Sequence, residues 1–304
     1  MRAVVVAALG GPEGLQVVEQ PDPAPDTGQV LVRVRGACVN PADIGARIGQ
    51  IPGGPVPPPF LLGWDIAGEV VGVGAGVTEF DVGDRVVGMI PWFITRGAVG
   101  GYVELVAADA EWLVPVPDGL DPVAAATIPL NALTAHQALE MMALSEPSTI
   151  LVTGVSGAVG GFAARMAARA GHRVLAQASD GDEDWVAGLG VDTVIPRSAD
   201  LAAAGPAPYV LDAVPLGAPA GAAVADGGVL ITTRPTPPVD PARGVRQEIV
   251  MVHLDRELLR TLVGDVAAGR LPARVAATVP LVEAADAHRR VEAGGLRGKL
   301  VLVP

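Results

Sequence analysis

The chain has 304 residues, half of them hydrophobic, and a formal net charge of −12. That length suggests about two domains, and the acid excess argues against nucleic acid as a partner, since that binding rests on Lys and Arg meeting phosphates. The single cysteine, Cys38, excludes an intrachain disulfide and any zinc site built from several cysteines.

Aromatic residues make up only 3% of the chain, so its cores have to be built from Ala, Val, Leu and Ile. Polar residues or proline interrupt every apolar run well before the ~20 residues a membrane helix needs. The opening segment MRAVVVAALGGPEG lacks a basic region, a long apolar run and a cleavage site. A cytoplasmic protein that spans no membrane is expected.

In chain order, VLVRVRGACV (residues 30–39) alternates with period two at first and predicts a half-buried strand. IPGGPVPPPFLLGWD (51–65) is a proline-glycine loop, with too few backbone donors for regular structure. IAGEVVGVGAGV (66–77) predicts a strand with glycine bends, and FDVGDRVVGMI (80–90) a Gly-Asp turn and a further strand. Such a texture fits a small irregular β-barrel. From Asp121 it changes. VAAATIPLNALTAHQALEMMAL (123–144) is Ala/Leu-rich at helical spacing, and strand-like and helix-like runs then alternate from TILVTG to EIVMV. Alternation of this kind predicts βαβ units and a parallel sheet. A helix over 255–271 leads out, and a strand, a helix and the closing strand KLVLV (299–303) return to the earlier style. Residues 1–121 and 256–304 are therefore expected to form one β-rich domain, interrupted by a nucleotide-binding domain over 122–255.

The candidate site begins in LVTGVSGAVGG (151–161), where Gly154, Gly157 and Gly160 join a strand to a small-residue helix. Backbone N–H groups at a helix start attract anions, and glycines let a pyrophosphate approach closely. The spacing G-x-x-G-x-x-G differs from the commoner G-x-G-x-x-G, and a tight strand-to-helix turn is the alternative reading.

Several segments in order give the chain a family resemblance. VNPAD (39–43) with Arg47, LGWDIAGEVVGVGAGVTEFDVGDRV (62–86), GGYVELVAAD (100–109), PDGLDPVAAATIPLNALTAHQAL (117–139), the glycine turn and GLRGKLVLV (295–303) each match a block of one family. Together they resemble the zinc-independent quinone oxidoreductase, zeta-crystallin-like branch of the medium-chain dehydrogenase/reductase superfamily. The resemblance implies an α/β protein in which a GroES-like β-barrel catalytic domain carries an inserted Rossmann domain, a doubly wound parallel sheet. It also implies NADPH in the cleft between the domains, and a homodimer.

Carried over by residue, the resemblance puts Gly154, Ser156, Gly157, Ala158, Val159 and Gly160 at the pyrophosphate and Thr134 beside the nicotinamide. Val214 and Thr232 end later strands, where sheet ligands gather. Asn40 and Asp43 are the polar pair near nicotinamide and substrate, with helix capping as the alternative for Asp43 and a turn for Asn40. Where zinc-dependent relatives place a Cys and a Gly-His-Glu segment, this chain has Asn40 and Gly63-Trp64-Asp65, so no metal is expected. Bacterial quinone reductases often carry tyrosines where this chain has Gly45 and Ile51, which puts an aromatic quinone clamp in doubt. Trp92 and Phe93 either wall a pocket or anchor a solvent loop.

Cofactor identity turns on a few residues. Where NADPH users often show Ser-Ser-Lys, this chain has Ser179, Asp180 and Gly181, followed by Asp182, Glu183 and Asp184. An acid at the ribose favours NADH, whereas an acid cluster also suits a helix start. Arg197, where the family often has tyrosine near the 2′-phosphate, favours NADPH. NADPH is expected, with NADH possible. His136, His172 and His288 read as surface or packing residues, and His253 lies near the expected domain junction. The resulting expectation is an NAD(P)H-dependent oxidoreductase that transfers hydride to a small-molecule quinone, enone or other conjugated carbonyl without zinc. The alternative is a redox-inactive family member whose pocket binds or cyclises a metabolite.

Overall fold

Sixteen strands build the protein, for which the computed structural model describes residues 1–304. The first eight are β1 (Arg2–Val6), β2 (Leu15–Glu19), β3 (Gln29–Cys38), β4 (Phe60–Leu61), β5 (Asp65–Val73), β6 (Arg85–Met89), β7 (Leu105–Asp109) and β8 (Leu113–Pro115). Then follow β9 (Thr149–Val152), β10 (Arg173–Ala178), β11 (Thr193–Pro196), β12 (Ala207–Asp212), β13 (Val224–Thr232) and β14 (Arg246–Ile249), and the chain closes with β15 (Val275–Pro280) and β16 (Lys299–Val303). They fall into two compact units, Met1–Leu130 with His253–Pro304, and Asn131–Val252.

The first unit is predominantly antiparallel. One sheet runs β15-β16-β3-β5-β6-β8, with β7 also paired to β3, and a small sheet runs β2-β1-β4. In β3 the expected alternation holds over its first part: Val30, Val32 and Val34 are buried while Arg33 and Arg35 face out. It stops at Gly36, where the β3–β5 register shifts. There a Cβ would lie 3.2 Å from that of Ala126 and 3.4 Å from the Cα of Val123. The helix Pro122–Ala125 thus lies against β3, which carries the border of this unit past the expected residue 121 to Leu130, within the helix Pro129–Met141.

The second unit is a six-stranded parallel sheet of order β11-β10-β9-β12-β13-β14. The central runs are almost wholly apolar, as strands covered on both faces require: Ile150, Leu151 and Val152, then Val174, Leu175, Ala176 and Ala178, then Val210 and Leu211 are all buried, with Gln177 the one polar residue among them. Leu151, Leu175, Ile195, Leu201, Val210 and Leu230 share one core. From β9 the chain winds outward to β11, returns to β12 on the other side, and winds outward again. The strand order therefore reverses between β9 and β12, and in open α/β sheets ligands bind beyond the carboxyl ends of the strands at such a reversal. This is the doubly wound topology that the βαβ texture predicts.

Candidate functional site

The segment after β9 opens the reversal point. Val155 N–H donates to the Gln177 carbonyl at 2.9 Å and Gly157 N–H to the Gly154 carbonyl at 2.9 Å, which curls the chain into the helix Ala158–Arg169. The three glycines are not equivalent. Gly154 has φ +61°, and a Cβ there would stand 2.6 Å from both γ-carbons of Val214. At Gly160 a Cβ would meet the Gly154 carbonyl oxygen at 2.5 Å and that of Thr153 at 2.9 Å. Gly157, by contrast, is extended, and its Cβ would approach nothing closer than 3.3 Å. Gly157 caps the helix without a side chain, so the backbone of Ala158, Val159 and Gly160 forms its first turn, whose N–H groups have no intrahelical acceptor. A compact turn that opens on backbone donors fits a pyrophosphate.

Ser156 does something the glycine pattern does not reveal. Its side chain is buried, and its Oγ accepts the Ser179 N–H at 2.9 Å. The hydroxyl oxygen thus joins the glycine turn to the segment after β10, while the same hydroxyl keeps its O–H as a donor. β10 and β11 are parallel with Ala178 opposite Pro196, so Ser179 and Arg197 each directly follow the last pair of these two strands. Asp180 and Arg197 are both exposed at this edge. Asp182, Glu183 and Asp184 form the cap and first turn of the helix Glu183–Ala187, the alternative open to them in the sequence.

On the far side of the reversal, Asp212 ends β12 in full burial. Its Oδ1 accepts the Thr153 hydroxyl at 2.7 Å and its Oδ2 the Gly217 N–H at 3.0 Å, while Thr153 Oγ1 accepts the Val214 N–H at 3.4 Å. Burial raises the Asp212 carboxyl above its ordinary range. Val214 is 41% exposed beside Gly154. Thr232 is buried, with its hydroxyl directed to the Glu248 carbonyl at 3.4 Å, and Thr134 is buried on the helix Pro129–Met141.

The first unit holds a second polar cluster. Asn40 caps the helix Pro41–Arg47, whose Pro41 occupies the first helical position, where its missing N–H costs nothing. Asp43 reaches back to accept the Asn40 N–H at 2.8 Å, the carboxylate half of a capping box, and accepts the Gly63 N–H at 2.8 Å. The Asn40 side-chain amide donates to Asp65 Oδ2 at 2.8 Å, and Asp65 Oδ1 accepts the Leu130 N–H at 2.8 Å. All three side chains are buried. Burial pushes both carboxyls up to about 7 despite these donors. The Tyr102 hydroxyl faces Asp43, is raised by burial, and lies 3.2 Å from His288 Nε2. His288 is buried, and burial with the nearby Arg47 guanidinium lowers it to about 3. Arg47 is itself buried, bonded to the Gly10 carbonyl at 2.7 Å and paired with Glu292.

Asp65, Tyr102 and His288 are functional candidates that the sequence conceals. His288 reads as a surface or packing histidine beside two arginines, yet it shares the inward face of the helix Ala284–Ala293 with Ala284 and Ala287. The spacing of those alanines is the one available signal. Trp92 is fully buried, stacked on Trp64 with ring centroids 4.6 Å apart, its Nε1–H donating to the Leu61 carbonyl at 2.8 Å. It anchors the segment rather than walling a pocket. The donor set does not suit zinc: Trp64 is locked in that stack, Asn40 is bonded to Asp65, and no three His, Cys, Asp or Glu side chains converge as metal ligands.

Comparisons with known proteins agree with this geometry. The family described as alcohol dehydrogenase GroES-like domain matches residues 26–118, and the one described as zinc-binding dehydrogenase matches residues 189–302. The tomato (Solanum lycopersicum) 2-methylene-furan-3-one reductase is 30% identical over 286 residues, 91% of this chain and 72% of that protein. The chloroplastic quinone-oxidoreductase homolog of Spinacia oleracea is 34% identical over 193 residues, which is 61% of this chain but only 57% of the spinach protein. A mycobacterial protein solved in complex with NADPH superposes with a TM-score of 0.84 at 30% identity, with all of both chains covered.

Two outcomes are expected of variants in these clusters. Gly154→Ala and Gly160→Ala each lower the unfolding free energy by roughly 1–3 kcal/mol in urea titrations, and Gly157→Ala by less than about 1; equal effects at all three contradict the distinction drawn between them. The second concerns pH. Raised carboxyls mean that folded Asp43 and Asp65 hold protons the unfolded chain has released, so their contribution to stability is full below pH ~4 and lost as pH rises through about 7. The lowered His288 works oppositely: its contribution is full above its ordinary value of 6.5 and lost as pH falls toward about 3. In thermal melts, the deficit of His288→Gln against the parent protein shrinks as pH falls, whereas any deficit of Asp43→Asn shrinks as pH rises. Deficits that ignore pH contradict the buried assignments.

Proposed function

The chain belongs to the medium-chain dehydrogenase/reductase superfamily, and from that membership we propose that it is an NAD(P)H-dependent reductase of quinones, enones or other conjugated carbonyls, working without zinc. One observation carries the reading: a glycine turn at the reversal point of a doubly wound parallel sheet, with two of its glycines required by close backbone and Val214 contacts. The similarity to an enone-type reductase and to a quinone-oxidoreductase homolog supports the class of acceptor.

In this reading the backbone of Gly154, Ser156, Gly157, Ala158, Val159 and Gly160 holds the pyrophosphate at the positive end of the helix Ala158–Arg169. Ser179, Asp180 and Arg197 meet the adenosine ribose. The guanidinium of Arg197 offers a fork that matches a 2′-phosphate, which favours NADPH over NADH. Thr134, Val214 and Thr232 lie toward the nicotinamide. Bound NAD(P)H supplies hydride from C4 of its ring. The chain's own contribution is to orient: Asn40, fixed by two carboxylates, sets the position of nicotinamide or substrate, and Asp43 acts through Asn40 and the start of the helix Pro41–Arg47. A homodimer and a cytoplasmic location complete the proposal.

Separate titrations with NADPH and NADH, followed by nicotinamide fluorescence, test it. Micromolar binding is expected, tighter for NADPH, and Arg197→Ala is expected to weaken NADPH about tenfold while leaving NADH nearly unchanged. Equal loss for both cofactors rejects the assignment of Arg197. No binding of either rejects the reductase reading and favours a redox-inactive metabolite pocket.

A further inference from the structure

Resting on the reductase reading, we propose that Asp65 is a positioning residue for Asn40: its carboxylate locks the Asn40 side-chain amide in one orientation, and turnover depends on that lock. The two residues are far apart in sequence, on β5 and just after β3, and meet only in the folded barrel. Asp65 Oδ2 takes the Asn40 Nδ2–H at 2.8 Å, and the Cys38 carbonyl lies 3.5 Å from the same nitrogen. At the other end of the amide, Asn40 Oδ1 is 3.7 Å from the Cys38 thiol, a weak donor. Acceptors at one end and a donor at the other distinguish two ends that are alike in shape. An ionised Asp65 enforces the distinction, because a carboxylate only accepts; a protonated Asp65 carries an O–H that can serve the amide oxygen of a flipped Asn40.

The main chain of Asn40 is held separately. Its N–H is taken by Asp43, whose other oxygen takes the Gly63 N–H. Asp65 itself is seated by the Leu130 N–H on its second oxygen. Loss of Asp65 as an acceptor therefore removes the 2.8 Å bond on the Asn40 side-chain nitrogen and leaves there the longer approach to the Cys38 carbonyl, while Asp43 still holds the Asn40 N–H. The ionisable groups that act on this pair are Asp43, Tyr102, Cys38 and Lys299, with His288 and Arg47 behind Tyr102. Burial favours protonated Asp65, and Lys299 favours the ionised form.

The test is Asp65→Asn, compared with the parent protein for kcat and KM against pH, using NADPH and a soluble naphthoquinone. The parent kcat is expected to rise with pH through about 7. The variant is expected to lose that limb and to turn over about tenfold or more slowly, with KM for NADPH unchanged. A folded variant that keeps both the parent kcat and the limb overturns the proposal. If the variant does not fold, NMR of the parent protein decides. The Asn40 side-chain NH2 resonances are expected to titrate together with the Asp65 carboxyl carbon, and Asn40 resonances that ignore the Asp65 titration overturn the lock. A parent protein that reduces no acceptor at any pH sinks the reductase reading and the dependence of turnover on the lock with it, while the resonances still decide whether the lock exists.

Discussion

Asn40 donates from both of its nitrogens to two carboxylates that have no contact with water. Burying a carboxyl is costly unless its oxygens find donors, and here each of the two receives two N–H groups. Those donors come from the helix start at Asn40, from Gly63 and from Leu130, so the carboxyls tie three separate parts of the first unit to one point. Gly63 is suited to the post because its φ is +104° and a Cβ would stand 2.6 Å from the Gly101 nitrogen. The segment Gly100–Tyr102 is thereby drawn in, and with it the Tyr102 hydroxyl and its partner His288.

The second unit applies the same economy around Asp212. One buried carboxyl holds the Thr153 hydroxyl and the Gly217 N–H, and Thr153 in turn receives the Val214 N–H. The ends of β9 and β12 are fastened together directly beneath the glycine turn, so the turn rests on a fixed floor. Ser156 adds a second tie, to the end of β10. Three strand ends are thus tied to one another by the chain's own hydrogen bonds, and preorganisation of that kind lowers the cost of binding.

Much of this fold is legible in the sequence, for physical reasons. A run such as Ile150–Val152 followed by glycines and a small-residue helix has few options other than a buried parallel strand and a tight turn. Alternation in β3 and the proline-rich loop before Gly63 mark the barrel in the same local way. What stays hidden is long-range and polar. Nothing near Asp65 announces that it will meet Asn40, and Tyr102 and His288 lie 186 residues apart. The acid run after Ser179 can serve a ribose or a helix start, and Asp182 with Glu183 and Asp184 takes the second. Ser156 shows the same limit: its place among the glycines suggests a phosphate, and only the fold reveals that its oxygen also accepts the Ser179 N–H.

In the proposed reaction a nicotinamide bound to this sheet delivers hydride to a conjugated carbonyl. Incubating the protein with NADPH deuterated at C4 of the nicotinamide and an α,β-unsaturated ketone, then locating the label by mass spectrometry and NMR, tests it most directly. One deuterium is expected at the β-carbon of the saturated product from one of the two C4 epimers and none from the other. Oxidation of the cofactor without label in the product, or label from both epimers alike, would contradict it.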